Sequence, residues 1–380
     1  MSDKQNNKEY QICNRCVMDK TAHEIVFDKN GNCNFCNEFV ENIKNNHSFS
    51  DFELTQKREE LIERIKKEGK NKPYDCIVGI SGGVDSSYVL YLAKQYGLRP
   101  LAIHLDNGWN TELANKNMKN LVEKLGVDLY TQVVNYEENK DLQLSFFAAN
   151  VVDIEVITDN VMATMNYKQA AKHKVKYILG GTNTSTEGMR MPKNWNHYKF
   201  DKKNVLSIHK KFGKIKIKKQ QLFSTKKYLW NQYIIKRKWI NFLDYFYYNK
   251  NEALNILIKD CNYIPYPYKH YESAFTRFYQ GYILPKKFNI DKRRLHFSTL
   301  IITSQMERHE ALKLLECDPY PDSEQKRQDK ESVMEKLEFT EESFDDYIKS
   351  SGVPHEHYGS EKWEMDLLIQ LNKIKKRIYK

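Results

Sequence analysis

The sequence predicts an α/β protein built on a doubly wound parallel sheet, with a small four-cysteine ribbon before it and a mainly helical region after it. From residue 74 to about 183, apolar strand patterns alternate with helical patterns, which is typical of parallel strands joined by crossover helices. Two Cys-x-x-Cys pairs precede this region. Helical periodicity dominates from about residue 261 to the end.

Length and charge limit the kind of protein this is. The 380 residues suffice for one large domain or two ordinary ones with a small appendage. The 61 Lys and Arg exceed the 50 Asp and Glu by 11, and a basic surface suits anionic ligands such as ATP, nucleotide sugars or RNA. No apolar run is long enough to span a bilayer, and residues 1–7 lack the apolar core of a signal peptide. We therefore expect a cytoplasmic protein without membrane insertion, whose seven cysteines form no disulfide framework.

The first cluster of chemistry-bearing residues predicts a metal site. Its two cysteine pairs are separated by sixteen residues, within the spacing of four-thiolate zinc sites: Cys13, Cys16, Cys33 and Cys36. Four thiolates leave no open position for water, so we expect Zn²⁺ with a structural role; an iron–sulfur cluster or free thiols are the alternatives. We assign residues 10–45 to this ribbon and 46–73 to an amphipathic linker helix.

The stretch from residue 77 to 93 predicts an anion site. An apolar strand runs into Ser81-Gly82-Gly83-Val84-Asp85-Ser86-Ser87, and a helix follows. Glycines let backbone N–H groups approach an anion, serines add hydroxyl donors, and the helix N-terminus favours negative charge. The motif lacks the lysine of the common P-loop. A tight turn without a ligand is the alternative.

The order of strands and helices places further polar segments beside this loop. Strands are predicted at 75–80, 100–106, 129–134 and 177–179, with helices at 84–96, 111–125 and 159–173. Polar or glycine-rich segments follow three strand ends, at 81–87, 106–110 and 180–183, and ligands of doubly wound sheets bind outside these ends. We therefore predict an ATP-binding domain over 74–260. Its candidate nucleotide-binding residues are Gly79, Ser81, Gly82, Gly83, Asp85, Ser86, Ser87, His104, Gly180, Gly181 and Asn183.

Four further residues of this domain carry weaker signals. Asp106 is able to bind Mg²⁺ or a substrate hydroxyl, or simply to cap a helix, and Asp159 has the same ambiguity. Trp109 either stacks on a ligand or packs in the core. Cys76 lies in a buried strand pattern and is expected to be inert.

Residues 184–260 give the weakest patterns. A polar loop from Glu187 to Tyr198 is placed to close over a substrate. The lysine-rich stretch 210–219 favours an edge strand guarded by lysines, with a polyanion-binding face as the alternative. Residues 228–248 favour a packed helix.

The last region, 261–380, is predicted to be mainly helical and to complete the active site. Its most distinctive segment is 268–288, where polar and aromatic residues alternate. With a helix from about Glu272, the side chains of Glu272 and Thr276 would share one face.

Five segments in this order give the chain a family resemblance. They are the four-cysteine ribbon, SGGVDSS, HLDNGWN, LGGTN and KHYESAFTRFYQGYILPKKF. Together they resemble the N-acetyl sugar amidotransferase family, which comprises PP-loop ATP pyrophosphatases of bacterial lipopolysaccharide, O-antigen and other surface-polysaccharide biosynthesis. The resemblance implies conversion of an acetamido group on a sugar or nucleotide sugar into an acetamidino group, with ATP and Mg²⁺. Ammonia would come from a separate glutaminase, similar to the pair in histidine synthesis.

The resemblance also implies residue roles. Loop 81–87 would hold pyrophosphate, and the residues assigned to catalysis would orient the loop or handle substrate and protons: Asp85, Asp106, Lys269, His270 and Glu272. A phosphate clamp would comprise Lys286, Lys287 and Arg294.

Two different functions remain open at this point. The first is a tRNA-modifying PP-loop enzyme such as a thiolase, which the net charge and the ribbon favour. Against it, no cysteine follows the glycine loop at 180–183. We therefore do not expect nucleic acid as the partner. The second is a nucleotide-binding scaffold without catalysis.

Overall fold

The structure is a computed structural model that describes residues 10–46, 49–218, 221–267, 270–320 and 322–378. Its centre is a parallel five-stranded sheet in the order β3-β2-β1-β4-β5. The strands are β1 Cys76–Gly79, β2 Pro100–Asp106, β3 Asp128–Val133, β4 Tyr177–Gly180 and β5 Lys238–Asn241. The chain moves outward from β1 to β3 and then returns to place β4 on the other side of β1. The strand order therefore reverses between β1 and β4, where doubly wound folds bind ligands.

Helices surround the sheet and continue to the end of the described chain. The α-helices are α1 Asn34–Asn46, α2 Asp51–Gly69, α3 Val84–Gln95, α4 Glu112–Leu125, α5 Tyr136–Ala148, α6 Val156–Lys172, α7 Thr184–Glu187, α8 Lys202–Phe212, α9 Thr225–Leu229, α10 Lys250–Cys261, α11 Ala274–Phe278, α12 Leu284–Phe288, α13 Arg293–Ile302, α14 Arg308–Glu316, α15 Ser323–Leu337, α16 Glu341–Lys349 and α17 Lys362–Ile378. Single π-helical turns lie at Trp230–Ile234 and Tyr279–Ile283, and 3₁₀ turns at Phe242–Tyr245 and His355–Tyr358. None of the helices in the described ranges has the length and apolarity needed to cross a bilayer.

Each face of the sheet has its own hydrophobic core, which confirms the doubly wound prediction. Side chains alternate along a strand, so Ile77 faces one core while Cys76 and Val78 face the other. The core around Val78 is closed by α2, α3, α4 and α10. The core around Ile77 is closed by α5, α6 and α8 and continues into the four-cysteine ribbon and the C-terminal helices.

Local chemistry sets several helix boundaries. The predicted linker helix is α2; the Ser50 hydroxyl accepts from the Glu53 amide, and the Glu53 carboxylate accepts from the Ser50 amide. Thr111 caps α4 through the Ala114 amide. At the other end of α4, Gly126 ends the helix with φ +57°, a conformation that favours glycine.

Three secondary-structure predictions are wrong. Residues 228–248 contain β5 rather than one packed helix, because Trp239 packs directly against Gly180 of β4 and joins the segment to the sheet. The described residues of 210–219 form no edge strand, and α8 ends at Phe212. The amides of Lys214 and Lys218 donate to the carboxylates of Asp141 and Glu138, respectively, and therefore not to a neighbouring strand.

The third wrong prediction is the helix from Glu272. Ser273 caps α11, which starts at Ala274, so Glu272 lies outside the helix and does not share a helical face with Thr276. The Ser273 hydroxyl accepts from the Thr276 amide, which fixes the start of the helix.

The four-cysteine ribbon is joined to the sheet through α13 and α14. Arg308 donates to the carbonyls of Cys13 and Cys16, and Ser298 accepts from the Val17 amide. From the same helix α13, His296 contacts the carbonyl of Thr186 in α7, which follows the end of β4. The ribbon thus supports the segment that continues from the glycine loop at 180–183.

Candidate nucleotide and acceptor site

The loop between β1 and α3 has the features of an anion-binding site. Gly83 is the N-cap of α3, and no side chain caps this helix end. The hydroxyl of Ser81 accepts from the Gly83 amide at 3.3 Å and lies 3.3 Å from the hydroxyl of Ser86. Free backbone N–H groups at a helix N-terminus carry partial positive charge, and two hydroxyls lie beside them. This arrangement favours an anion such as a phosphate at the start of α3.

Gly82 holds the loop in its sharp bend. Its φ is +85°, and an added Cβ would lie 3.0 Å from the Ala114 carbonyl oxygen and 3.1 Å from the Tyr266 hydroxyl. The carbonyl of Gly82 accepts from Tyr263 at 2.7 Å and from Tyr266 at 2.9 Å. The two tyrosines turn this carbonyl away from the space before the helix, so that amides rather than carbonyls face a ligand.

The end of β4 packs against the same helix N-terminus. A Cβ on Gly181 would lie 2.9 Å from the amide nitrogen of Ser86, so only glycine permits this approach. Asn183 is buried; its side chain accepts from the Thr186 amide and donates to the Gly181 carbonyl. It braces the loop, and its contact with a nucleotide stays a prediction. Gly79 and Gly180 face Asn166 and Trp239, respectively, so their closest side-chain contacts are within the protein.

Asp85 is held beside the loop by residues that the sequence patterns did not single out. The Tyr248 hydroxyl donates to one carboxylate oxygen, and the Lys250 ammonium lies 3.9 Å from the other. Ser86 donates to the Gly83 carbonyl. Ser87, one turn into α3, is buried and forms no side-chain hydrogen bond among the described residues. Asp85 therefore lies where it is able to orient the loop, and that role stays a prediction, while Ser87 lies behind the loop.

The end of β2 forms the second wall of the site. Asp106 accepts from the Gly108 amide at 3.0 Å and remains partly exposed. His104 is buried; its Nδ1 lies 3.1 Å from the Ile80 carbonyl, and the Asn110 amide donates to its Nε2 at 2.8 Å. Burial lowers the pKa of His104, so the ring is neutral and donates from Nδ1. Both ring nitrogens are thus used inside the protein, where they fix the strand ends of β1 and β2 to each other.

Residues 270–274 lie against this wall. Asn110 and Ser273 form a short antiparallel bridge, and the Thr111 amide donates to the Glu272 carbonyl at 3.1 Å. The Glu272 carboxylate lies 3.7 Å from the position of a Cβ on Gly83 and 3.7 Å from His270 Nδ1. Burial alone would raise the pKa of Glu272, but the hydrogen bond and charge of His270 outweigh it and lower the pKa. Glu272 and His270 therefore lie beside the loop, and their catalytic roles stay predictions, whereas Lys269 lies outside the described residues.

A second group of ionisable side chains lies farther along the same edge of the sheet. We call it the polar cleft, and its members come from the start of α6, the loop before α8, α11 and the loop before α13: Asp153, Glu155, Asp159, Lys199, Thr276 and Lys292. Thr276 donates to Glu155 at 2.6 Å, and Asn107 joins this group to the end of β2 by donating to the Thr158 hydroxyl at 3.5 Å. The cleft thus begins at Thr276, four positions beyond Glu272 in the sequence.

The charges in the polar cleft are only partly balanced. Lys199 bridges Asp153 at 2.6 Å and Asp159 at 2.9 Å, and these carboxylates raise its pKa against the effect of burial. Lys292 pairs with no carboxylate within 4.0 Å among the described residues, and burial lowers its pKa. Burial raises the pKa of Glu155. Asp159 and Lys199 keep 35% and 29% of their side-chain surface exposed, so solvent reaches the cleft.

Several predicted ligand contacts are instead structural. Arg294 pairs with Asp19 of the ribbon at 2.9 Å, and Lys287 donates to the Tyr347 and Ser350 carbonyls, so neither is free to clamp a phosphate as predicted. Burial lowers the pKa of Lys287 to about 8. Lys286 is exposed on α12.

Trp109 and the loop from Glu187 to Tyr198 are packed into the protein. Trp109 is buried, its ring centre lies 5.1 Å from that of Phe275, and it belongs to the core. In the loop predicted to close over a substrate, Trp195 and His197 are buried, and Arg190 pairs with Glu24 of the ribbon. Neither feature is thus placed to contact a substrate in this conformation.

The four cysteines fit a tetrahedral zinc site. Their sulfur atoms all lie within 4.8 Å of one another; the distance is 3.7 Å for Cys13 and Cys36 and 3.6 Å for Cys16 and Cys33. Four sulfurs at 2.3 Å from a central Zn²⁺ would lie about 3.8 Å apart. All four residues are buried, so the donor set and its spacing match a closed structural site and leave no disulfide.

The site residues that sequence reasoning missed come from distant segments. Tyr248, Lys250, Tyr263 and Tyr266 surround loop 81–87, and Lys292 and Glu155 line the polar cleft. One signal was available: tyrosines alternate with prolines in Tyr263-Ile-Pro-Tyr266-Pro, a stiff segment suited to fixing hydroxyls in place.

The parallel sheet, with the anion loop at its strand reversal, is that of a PP-loop nucleotide-binding protein. Comparison with known families agrees. A family model described as NAD synthase matches residues 54–219, and a model described as LPS biosynthesis protein WbpG-like, C-terminal domain, matches residues 272–371. Together the two matches support a WbpG-like PP-loop protein of lipopolysaccharide biosynthesis that uses ATP, and a PP-loop domain of this kind implies Mg²⁺ as well.

Individual relatives are more distant. The chain is 35% identical over 71 residues to the tRNA(Ile)-lysidine synthase of Chlamydia pneumoniae; this covers 18% of the chain and spans 22% of that relative's length. Among solved structures, the NH3-dependent NAD synthetase of Campylobacter jejuni matches with a TM-score of 0.29 at 16% identity, over 42% of this chain and 72% of that one. The NMN synthetase of Francisella tularensis matches with a TM-score of 0.28 at 17% identity, over 58% and 99%.

Proposed function

We propose that the protein is an AMP-forming amidotransferase that converts the acetamido group of an N-acetylated sugar, free or nucleotide-linked, into an acetamidino group. The observation that supports it best is one continuous edge of the sheet. An uncapped helix N-terminus with two serines adjoins a histidine–carboxylate pair, and a solvated polar cleft follows. In the proposed reaction these serve, in that order, as the triphosphate site, the proton-transfer site and the acceptor site.

In the first step, the acetamido carbonyl oxygen attacks the α-phosphorus of ATP. The new O–P bond forms as pyrophosphate leaves, and loss of the amide N–H proton to solvent gives a neutral O-adenylyl imidate. The amides at the start of α3 and the hydroxyls of Ser81 and Ser86 stabilise the charge that grows on pyrophosphate. Asp85, held by Tyr248 and Lys250, keeps the loop in place, and Mg²⁺ bound near Asp85 or Asp106 would share the phosphate charge.

In the second step, ammonia adds to the imidate carbon, the C–O bond breaks and AMP leaves. The incoming nitrogen must lose a proton. The Glu272 carboxylate lies beside the loop and 3.7 Å from His270, so we assign this proton to that pair. The net exchange replaces a carbonyl oxygen by N–H. Ammonia would be delivered by a partner glutaminase, since no glutaminase motif is present in the sequence.

The polar cleft is the proposed acceptor site. Its carboxylates and hydroxyl offer hydrogen bonds to sugar hydroxyls, and Lys292, which has no carboxylate partner among the described residues, offers a charge for an anionic group of the acceptor. Lys292→Met should raise KM for the acceptor about tenfold or more while KM for ATP stays constant. A rise in KM for ATP alone would place the acceptor elsewhere.

The direct test combines purified protein, ATP, Mg²⁺, ammonium and candidate N-acetyl sugars. We expect AMP release together with a mass decrease of about one unit in the sugar, which follows from exchange of O for N–H. AMP release without that mass change, or intact ATP with every sugar tried, would contradict the proposal. Intact ATP would favour a nucleotide-binding scaffold without catalysis.

Variants connect the reaction to the loop. Ser81→Ala and Asp85→Asn should abolish AMP formation, with unchanged zinc content and folding. Asp322→Asn is the matched control, because Asp322 only caps the distant helix α15. AMP formation that survives both loop substitutions would mean that the reaction occurs at another place.

A tRNA thiolase is less well supported, because no cysteine follows the glycine loop at 180–183 and, of the seven cysteines, only Cys317 is exposed. Cys76 and Cys261 are buried, burial raises the pKa of both thiols, and Cys317 lies at the end of α14. A tRNA modified in an ATP-dependent reaction would nevertheless overturn the sugar assignment, so bulk tRNA belongs in the same assay.

A further inference from the structure

The segment from residue 202 to 238 has an unusual charge distribution. It contains thirteen Lys and Arg and no Asp or Glu. None of its described Lys and Arg side chains lies within 4.0 Å of a carboxylate in the described chain, and only His209 contacts one, Asp141 at 2.8 Å. Flanking lysines behave differently, since Lys176, Lys199 and Lys250 all form ion pairs. Positive charge is therefore left available on one part of the surface.

The same segment exposes large apolar side chains. The π-helical turn after α9 leaves Trp230 58%, Tyr233 51% and Ile234 59% exposed. We define the basic–aromatic face by the exposed residues on and around this turn: Lys226, Lys227, Trp230, Tyr233, Ile234, Ile235 and Lys236. So many neighbouring apolar side chains in water are unfavourable unless a partner covers them.

A groove of about 370 Å³ opens beside this face. Its wall is mainly apolar and includes Tyr167, Ala171, Trp230 and Ile235, and the cations Lys168, Lys227 and Arg237 complete it. Burial lowers the pKa of Lys227, and the charges of Lys202 and Lys168 lower it further. Like charges gathered around an apolar groove fit an amphiphile with an anionic head and an apolar tail.

We propose that the basic–aromatic face docks the protein on an anionic phospholipid bilayer. Trp and Tyr prefer the level of the lipid headgroups, branched aliphatic side chains enter the acyl boundary, and lysines attract anionic lipids. Other partners fit less well. Isoleucines do not stack on bases as ssRNA-binding surfaces require, and lysine is depleted in protein–protein interfaces.

The position of the face leaves the site open during docking. The polar cleft lies at the start of α6, whereas Lys168 lies twelve residues farther along the helix, about 18 Å away at 1.5 Å per residue. A protein bound through this face would therefore keep the polar cleft away from the bilayer. The proposal does not depend on the reaction, because binding is measured without substrates.

The test is flotation of the full chain with vesicles of phosphatidylcholine alone and of phosphatidylcholine with 30% phosphatidylglycerol. We expect binding only to the anionic vesicles at 0.1 M salt, and weaker binding at 0.5 M salt because the charges are screened. Equal binding to both vesicles, or to neither, would overturn the proposal.

Three variants assign the binding. Lys226→Glu/Lys227→Glu/Lys236→Glu should lower the partition coefficient about 100-fold or more, since each surface lysine contributes about fivefold. Trp230→Ser/Ile234→Ser should lower it about tenfold or more. Lys116→Glu/Lys119→Glu/Lys124→Glu is the charge-matched control on α4, on the other face of the sheet, and should bind like the parent.

Competition with tRNA tests whether the face binds any polyanion rather than a bilayer. If tRNA binds as tightly as the anionic vesicles, and the Trp230→Ser/Ile234→Ser variant retains full vesicle binding, the face is a general polyanion surface and the bilayer proposal fails. Loss of vesicle binding in both variants, with full retention in the control, is the result that the proposal requires.

Discussion

The substitution Gly82→Ala measures how strictly the anion loop depends on its shape. Gly82 has φ +85°, and an added methyl group would lie 3.0 Å from a backbone carbonyl that cannot move independently. The left-handed conformation costs roughly 1–2 kcal/mol for a non-glycine residue, partly offset by the lower entropy of the unfolded chain. We therefore expect a loss of about 1–2 kcal/mol in the free energy of unfolding and a Tm lower by roughly 2–5 °C.

The effect on chemistry should be much larger than the effect on stability. Relief of the contact with Ala114 shifts the loop by a few tenths of an ångström, and misplacement of this kind near a reacting phosphate costs up to about 100-fold in rate. We expect kcat/KM for ATP, from AMP release, to fall by about that factor.

Gly126→Ala is the matched control. Gly126 also has positive φ, at +57°, but no atom lies within 4 Å of an added Cβ, and the residue ends α4 away from the site. It should lose similar stability and keep its activity. If the kcat/KM for ATP of the Gly82→Ala variant lies within twofold of that of the Gly126→Ala variant, the loop does not hold the phosphates as we describe.

Two further predictions concern the ribbon and a buried histidine. Zinc removal by a chelator, or the substitution Cys36→Ser, should lower Tm by roughly 5–10 °C. Either change should also raise KM for ATP, because the ribbon supports α7 through α13. An unchanged KM for ATP would refute that link. Burial, together with the charge of nearby His197, lowers the pKa of His355 to about 3, so the unfolded chain binds this proton below about pH 6.5 while the folded protein does not. The free energy of unfolding should therefore reach its full value, as far as His355 is concerned, above pH 6.5 and should be about 2 kcal/mol lower at pH 5. His355→Gln should remove most of that pH dependence in urea titrations, and a slope identical to the parent's would contradict the reasoning.

The parts of the fold that are encoded locally were predictable. Loop 81–87 is contiguous, and its strand, turn and helix follow directly from glycine, serine and apolar periodicity. The four-cysteine ribbon was predicted from spacing alone, and the sulfur distances confirm a compact cluster. Four of the five strands of the parallel sheet were predicted, whereas their order comes from the structure.

The parts decided by tertiary packing were not predictable. Strand β5 has only four residues and joins the sheet because Trp239 fits over Gly180, which no local pattern reveals. Lys292 and Glu155 are 137 positions apart in sequence (292 minus 155) and belong to one cleft only because α6 and the loop before α13 pack together. The start of α11 had a local signal in Ser273, a good N-cap residue, which outweighed the periodicity that suggested Glu272.

In the proposed reaction, the acetamido oxygen becomes the leaving group after it has attacked the α-phosphorus of ATP. The most direct measurement uses an N-acetyl sugar with ¹⁸O in the acetamido carbonyl, together with ATP, Mg²⁺ and ammonium, and follows the label by mass spectrometry. We expect one ¹⁸O in the phosphate of AMP for each amidine formed. Amidine formed with unlabelled AMP, or with ADP and phosphate as products, would contradict it.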